Sequence, residues 1–171
     1  MYPNLSTEQN NLHRYILEQI KTAFATEPNI AATIHGQRKI FQGCYGRRTA
    51  LFPSKKCSGA IPTESRLELA HAICLERNSS VINYRSQALK IKLSHDQYCY
   101  PDFLIQTSDG SYEVHEVKPL ISSLALDEYV RFDRLATLLS SVGITFKLSN
   151  FFTGIKGDIV LIGMNSKSNM P

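Results

Sequence analysis

The residues best suited to chemistry stand close together in YPDFLIQTSDGSYEVHEVKPL, residues 100–120: Asp102, Glu116 and Lys118. Asp109-Gly110 lies between two apolar stretches and is a strong hairpin turn signal, so the segment predicts two antiparallel strands. Side chains alternate along a strand, which puts Tyr112, Val114, Glu116 and Lys118 on one face and leaves His115 on the other as a structural residue. Asp102 falls opposite Glu116 or Val117, depending on the loop. Directly opposed residues have Cβ atoms about 5 Å apart. Two carboxylates so placed repel, and either one takes a proton or a cation sits between them. A hard divalent ion suits oxygen donors and is often held by one or two carboxylates plus waters, so Mg²⁺ is expected, with Mn²⁺ as its substitute. Lys118, on the same face, would position an attacking water or neutralise a phosphate. A metal plus a lysine is equipment for phosphodiester hydrolysis. The plain alternative is a pair of solvated charges on an open hairpin face. The neighbours favour a site: Pro101 precedes Asp102, Phe103-Leu104-Ile105 continue as a buried strand, and Pro119 ends the second strand directly after the lysine.

These groups need elements to hold them. Residues 6–26 read as a helix, capped by Ser6 with Gln9 three residues on, with Leu12, Ile16, Ile20 and Ala23 at helical spacing. Residues 36–61 are rich in glycine and basic residues and predict turns and weak strands at the surface. ESRLELAHAICLER, 64–77, is a second helix with Leu67, Ala70 and Cys74 as its apolar stripe; His71 on it reads as a solvated histidine. In VINYRSQALKIKL, 81–93, Leu89, Ile91 and Leu93 alternate with Lys90 and Lys92, giving one or two strands with a basic face. Residues 124–143 predict a third helix closed by Gly143. ITFKLSN and DIVLIGM give the last strands. The order predicts an α/β fold, a central mixed sheet flanked by helices. We read one domain over 1–171, with 1–35 as an N-terminal helical extension and the core at 36–165.

Composition agrees with a single folded domain. The 171 residues are 43% hydrophobic and 20% charged, an ordinary globular balance. No apolar run approaches the roughly 18 residues of a membrane span, and the N-terminal MYPNLSTEQNNLHRY lacks the layout of a signal peptide. The expected reading is a soluble intracellular protein with no membrane partner. Cys44, Cys57, Cys74 and Cys99 form no C-x-x-C pair and read as reduced structural thiols rather than zinc ligands. The net charge of +4 is a mild excess, compatible with nucleic acid.

Pro101-Asp102, then thirteen residues, then Glu116-Val117-Lys118 resembles the PD-(D/E)XK nuclease signature. FPSKKCSG, ESRLELA, SQALKIKL, YPDFLI and EVHEVKP, in that order, resemble the catalytic domain of TnsA, the endonuclease subunit of heteromeric cut-and-paste transposases. GITFKLSN, 143–150, is similar to the family's next strand, and the likeness covers roughly residues 40–150. The resemblance implies a restriction-endonuclease-like core, with Asp102 and Glu116 as metal ligands, Glu68 as the helix acid and Lys118 as the catalytic lysine. The carbonyl of Val117 is an additional metal ligand in this reading, and Gln87 a supporting amide. The implied activity is cutting of double-stranded DNA at the 5′ ends of a mobile element. The implied partners are a TnsB-type transposase, which cuts and joins the 3′ ends, and a TnsC-type ATPase. The residues after Pro119 are expected to complete the core, which leaves the ATPase contact that the family's C-terminal helical domain makes in doubt or assigned to another surface or chain. Alternatives are another nuclease of the same core, restriction or junction-resolving, or a non-catalytic subunit that binds DNA.

Two local readings compete with the family's. Ser65-x-x-Glu68 is also a capping box, and Glu64, one turn earlier, is a rival for the helix acid. Arg47, Arg48, Lys55, Lys56, Arg66, Lys90 and Lys92 precede the acids and are the candidate phosphate contacts. Neutralising Lys55 and Lys56 is expected to flatten the salt dependence of DNA binding. Sequence recognition is left to a partner, since no zinc finger or helix-turn-helix stands out.

Overall fold

A computed structural model describes residues 7–40, 43, 48–119, 124–150 and 159–161. Its centre is a five-stranded mixed sheet in the order β3-β6-β7-β8-β9. The strands are β3 (Val81–Ser86), β6 (Phe103–Thr107), β7 (Tyr112–Lys118), β8 (Thr145–Asn150) and β9 (Ile159–Leu161). Neighbours are antiparallel except β7 and β8, which run parallel. A parallel pair needs a crossover, and α3 (Leu126–Ser141) supplies it. Two small antiparallel pairs flank the sheet: β1 (Ala50–Ser54) with β2 (Gly59–Thr63), and β4 (Ile91–Lys92) with β5 (Tyr98–Cys99).

Both faces of the sheet are covered, because successive strand residues point to opposite sides. On one face, Leu104, Val114, Phe146 and Leu148 pack with Ile16 and Ile20 of α1 (Thr7–Ala25) and with Phe132, Leu135 and Leu139 of α3. On the other, Phe103, Ile105 and Val117 pack with Ile61 of β2 and with Ala72 and Leu75 of α2 (Arg66–Arg77). Burying each large aliphatic side chain contributes about 1.5–3 kcal/mol, so the helices are fastened from both sides. Among the described residues, no helix is long and apolar enough to cross a membrane.

The first and third helices fall where helical spacing places them; Ser6 lies outside the described residues. Gly143, with φ +76°, ends α3. Its N–H bonds the Ser140 carbonyl at 3.0 Å and that of Ile144 bonds Leu139 at 3.0 Å, the paired bonds of a left-handed helix cap. Two expectations are corrected. The buried face of α2 is Glu68, His71, Ala72 and Leu75, rotated from the predicted Leu67-Ala70-Cys74 stripe. Two of its members are polar, so hydrophobic periodicity points elsewhere. Residues 36–61 are also not merely surface: Ile40, Cys57 and Ile61 are buried, the last two in the core under α2.

Candidate active site

The hairpin brings the predicted acids together. Phe103 pairs with His115, which carries Asp102 to the position opposite Glu116. The Val117 N–H donates to Asp102 Oδ2 at 2.8 Å, and the Asp102 carbonyl accepts from the Gln87 N–H at 2.9 Å. Val117 therefore sits with its peptide against the Asp102 carboxylate. Glu116 is only 7% exposed. Its Oε1 lies 3.3 Å from Lys118 Nζ, while Oε2 is buried without a hydrogen-bond partner. A buried, unpartnered carboxylate oxygen is costly.

Glu68 completes the acidic group from the opposite side of the sheet. It lies in the first turn of α2, 8% exposed. The capping role and the acidic role coexist in it. Ser65 Oγ accepts from the Glu68 N–H at 3.1 Å and also donates to Glu68 Oε1 at 3.0 Å, while Glu68 Oε2 accepts from the Glu64 N–H at 2.8 Å. The rival Glu64 is taken up differently, in an ion pair with Arg38.

The electrostatics follow from burial and from like charges. Burial raises the Asp102 carboxyl well above the usual carboxylate range, and the charges of Glu116 and then Glu68 raise it further, against the Val117 N–H and Lys118. Burial also raises Glu116, opposed by Lys118 and Arg131. Glu68 is raised by burial and lowered by its bonds to Glu64 and Ser65. Among the described residues no three His, Cys, Asp or Glu side chains converge into a ready-made metal cage. The residues nonetheless fit a hard divalent ion of the kind that keeps waters: two desolvated, mutually repelling carboxylates, one with an orphaned oxygen.

Gln87 is buried at the end of β3 in a left-handed conformation, φ +44°, rare for a side chain other than glycine. Its side chain accepts from Arg38 Nε at 2.6 Å and donates to Glu64 Oε2 at 3.2 Å. Its N–H holds the backbone of Asp102, so its support is structural and direct.

Spacing does not reveal the contribution of α3. Glu128 Oε1 lies 3.7 Å from Lys118 Nζ and 3.9 Å from Arg131 Nη2. Both cations also lie over the Phe132 ring, at 5.4 Å and 4.8 Å from its centroid. Lys118 is thus held between Glu116 and Glu128, and Arg131 adds a second positive charge that Glu116 senses. A helix-spaced acid and base three residues apart, Glu128 and Arg131, is the only sequence signal for this pair. Cys99 of β5 borders the site: burial and the Glu116 charge push its thiol up to about 12.

The histidines divide from the acids. His115 lies on the face opposite Glu116, as its parity in the strand implies. His71 is buried rather than solvated, its Nε2 2.9 Å from His115 Nδ1 and its ring 5.2 Å from that of Phe103. His115 Nε2 bonds Glu113, which pairs with Lys147 at 2.6 Å. This chain of contacts ties α2 to β7 behind the acids. Burial and the neighbouring His115 lower the His71 pKa to about 3, so it is neutral near pH 7.

The candidate DNA cations are not equivalent. Arg48, Lys55, Arg66 and Lys92 are exposed. Lys90 Nζ sits 4.5 Å from the centroid of the Tyr98 ring. Lys56 is engaged elsewhere: its Nζ donates to the carbonyls of Leu75 at 2.8 Å and Asn78 at 2.5 Å, closing the C-terminus of α2. Arg47 lies outside the described residues. No protein-family model matches this chain, and no curated protein matches it significantly.

Proposed function

We propose that this protein is a Mg²⁺-dependent DNA endonuclease with a restriction-endonuclease-like core. In this reading it is a TnsA-type subunit of a heteromeric transposase that cuts the 5′ ends of a mobile element. The observation that carries the reading is the buried pair Asp102 and Glu116, opposed across the hairpin beside Lys118 at one end of a mixed sheet, with the charges of Glu116 and Glu68 both raising the Asp102 carboxyl. Such carboxylates suit a cation more than they suit each other. Asp102 and Glu116 would hold Mg²⁺, or Mn²⁺ in its place, with the Val117 carbonyl as a further donor and Glu68 on a second ion or its water. When bound, such an ion would supply a water of lowered pKa and offset charge on the phosphate. Lys118 Nζ would orient the attacking water; Glu116 and Glu128 fix where the ammonium sits, and the Val117 N–H holds the Asp102 carboxylate. Arg48, Lys55, Arg66 and Lys92 are exposed and would meet the duplex, while Lys90 would have to leave the Tyr98 ring to do so. The order of sequence blocks around these residues supports the TnsA assignment, with a TnsB-type transposase and a TnsC-type ATPase as partners.

The test is nicking of supercoiled plasmid in Mn²⁺ and of element-end duplex in Mg²⁺ with the cognate transposase added. Wild type is expected to cut and Asp102→Ala to lose at least about a hundredfold in rate, as removal of a group central to catalysis does, with an unchanged circular dichroism spectrum. Cutting by the variant at near the wild-type rate would falsify the assignment. Cutting of element ends with no transposase present would favour a restriction or junction-resolving enzyme.

A further inference from the structure

A cavity of about 180 Å³ opens between the C-terminal end of α1 and the edge strand β3, with Thr22, Thr26, His35, Gly36, Arg85 and Ala88 in its wall. No acidic residue among the described ones lines it. Arg85 is only 5% exposed. Its Nε donates to the Ala23 carbonyl at 3.0 Å, and its Nη1 donates to Asn83 Oδ1 and to the Tyr84 carbonyl at 3.0 Å. Its Cζ also lies 5.5 Å from the centroid of the Phe24 ring, so the guanidinium is anchored by carbonyls, an amide and a ring rather than by a carboxylate. No described carboxylate comes within 4.0 Å of the guanidinium. Burial is the largest influence on it and lowers its pKa, opposed by the Cys57 thiol, which it also meets as a hydrogen-bond partner, and by the exposed Glu27. A buried cation lacking an anionic partner is costly and is ordinarily compensated.

The rest of the wall suits an anion. His35 adds a second nitrogen-bearing side chain, and one of its ring nitrogens is sealed without a hydrogen-bond partner. Gly36 presses backbone to backbone on the end of β3: a Cβ there would come within 2.3 Å of the Ser86 and Gln87 carbonyls. The Ala23 carbonyl, which would repel an anion, is already covered by Arg85. The planar fork of arginine matches phosphate oxygens better than a point charge does. We infer that this cavity is a binding site for a phosphate group, held by Arg85.

Its position suggests whose phosphate it is. Arg85 pairs with Leu104, two residues from Asp102, and the Gln37–Gln87–Asp102 backbone bonds run from the cavity wall to the acids. A DNA strand lying across the acids would bring a neighbouring phosphate to Arg85. The phosphate site stands on the cavity alone; its assignment to the DNA backbone rests on the nuclease reading.

The test is titration of inorganic phosphate at fixed pH without metal, following the His35 ring resonances, in wild type, Arg85→Gln and Thr22→Glu. Thr22 is exposed at the cavity, so Thr22→Glu sets a negative charge there without touching the core, and it decides the matter if Arg85→Gln does not fold. Saturable shifts in wild type, weakened about tenfold or more by either substitution, a difference of about 1.4 kcal/mol, are expected. Linear, non-saturating shifts, or equal affinity in Thr22→Glu, would overturn the site and leave Arg85 as an anchor for α1. A short duplex that displaces phosphate assigns the site to the DNA backbone. A duplex that binds alongside it refutes that assignment and points to a free phosphate-bearing ligand. Asp102→Ala should leave the phosphate titration unchanged, so failure of the nuclease reading would be seen separately.

Discussion

Asp102 carries a penalty that the metal-free protein can relieve only with a proton. Its folded carboxyl is raised by burial and by Glu116 and Glu68, so folding takes up a proton when the pH lies between the unfolded and folded values. The native state then binds more protons than the unfolded chain, and stability falls as pH rises through that window. Below the ordinary carboxylate range of about 4 the penalty is absent. In EDTA at neutral pH, Asp102→Asn is therefore expected to melt higher than wild type, and its melting temperature should depend less on pH over that window. A lower melting temperature for the variant at neutral pH would mean that the Val117 bond outweighs the repulsion. At this scale the sequence was informative where one element carries the chemistry. Asp102, Glu116 and Lys118 lie on one hairpin, so strand parity and turn length place them. Arg131 and Glu128 reach the same lysine from a helix beyond a loop, and no periodicity links them to it.

The helix α2 shows how one element serves both stability and the site. Ser65 caps it and touches Glu68 through both hydrogen-bonding directions. Ser65→Ala is expected to cost about 1 kcal/mol, lowering the melting temperature by about 2–4 °C for a chain of this size, and to reduce cutting by loosening Glu68. Thermal melts and nicking rates measure both, and a loss of stability with full activity would remove Glu68 from the site. At the other end of the helix, Lys56 covers the Leu75 and Asn78 carbonyls while Lys55 points to solvent. Lys55→Ala should therefore flatten the salt slope of DNA binding by about 0.9. Lys56→Ala should leave that slope unchanged and destabilise the fold by about 0.5–1 kcal/mol, the scale of a cation at a helix C-terminus. The reverse pattern would place Lys56, not Lys55, on the duplex. The existence of α2 was legible from its cap and its length. Its buried face was not, because Glu68 and His71 are polar residues on that face and their burial depends on partners in distant strands.

Across the whole molecule, the sheet separates two cores, and the candidate site straddles the end of the sheet between them. Glu68 arrives from the α2 side and Lys118 with Glu128 from the α3 side, while Asp102 and Glu116 come from the strands between. A mixed sheet flanked by helices could be read from alternation, turns and caps. Its strand order could not, since the parallel pairing of β7 with β8 depends on the α3 crossover. Nor could the edge position of β3, which leaves Arg85 beside a cavity. The central claim is that this arrangement binds a divalent cation through Asp102, and it can be tested without DNA or a partner protein. Mn²⁺ would be titrated into wild type and Asp102→Ala and the free-ion resonance signal followed. The account predicts saturable binding by wild type and its loss in the variant; equal binding by both would contradict it.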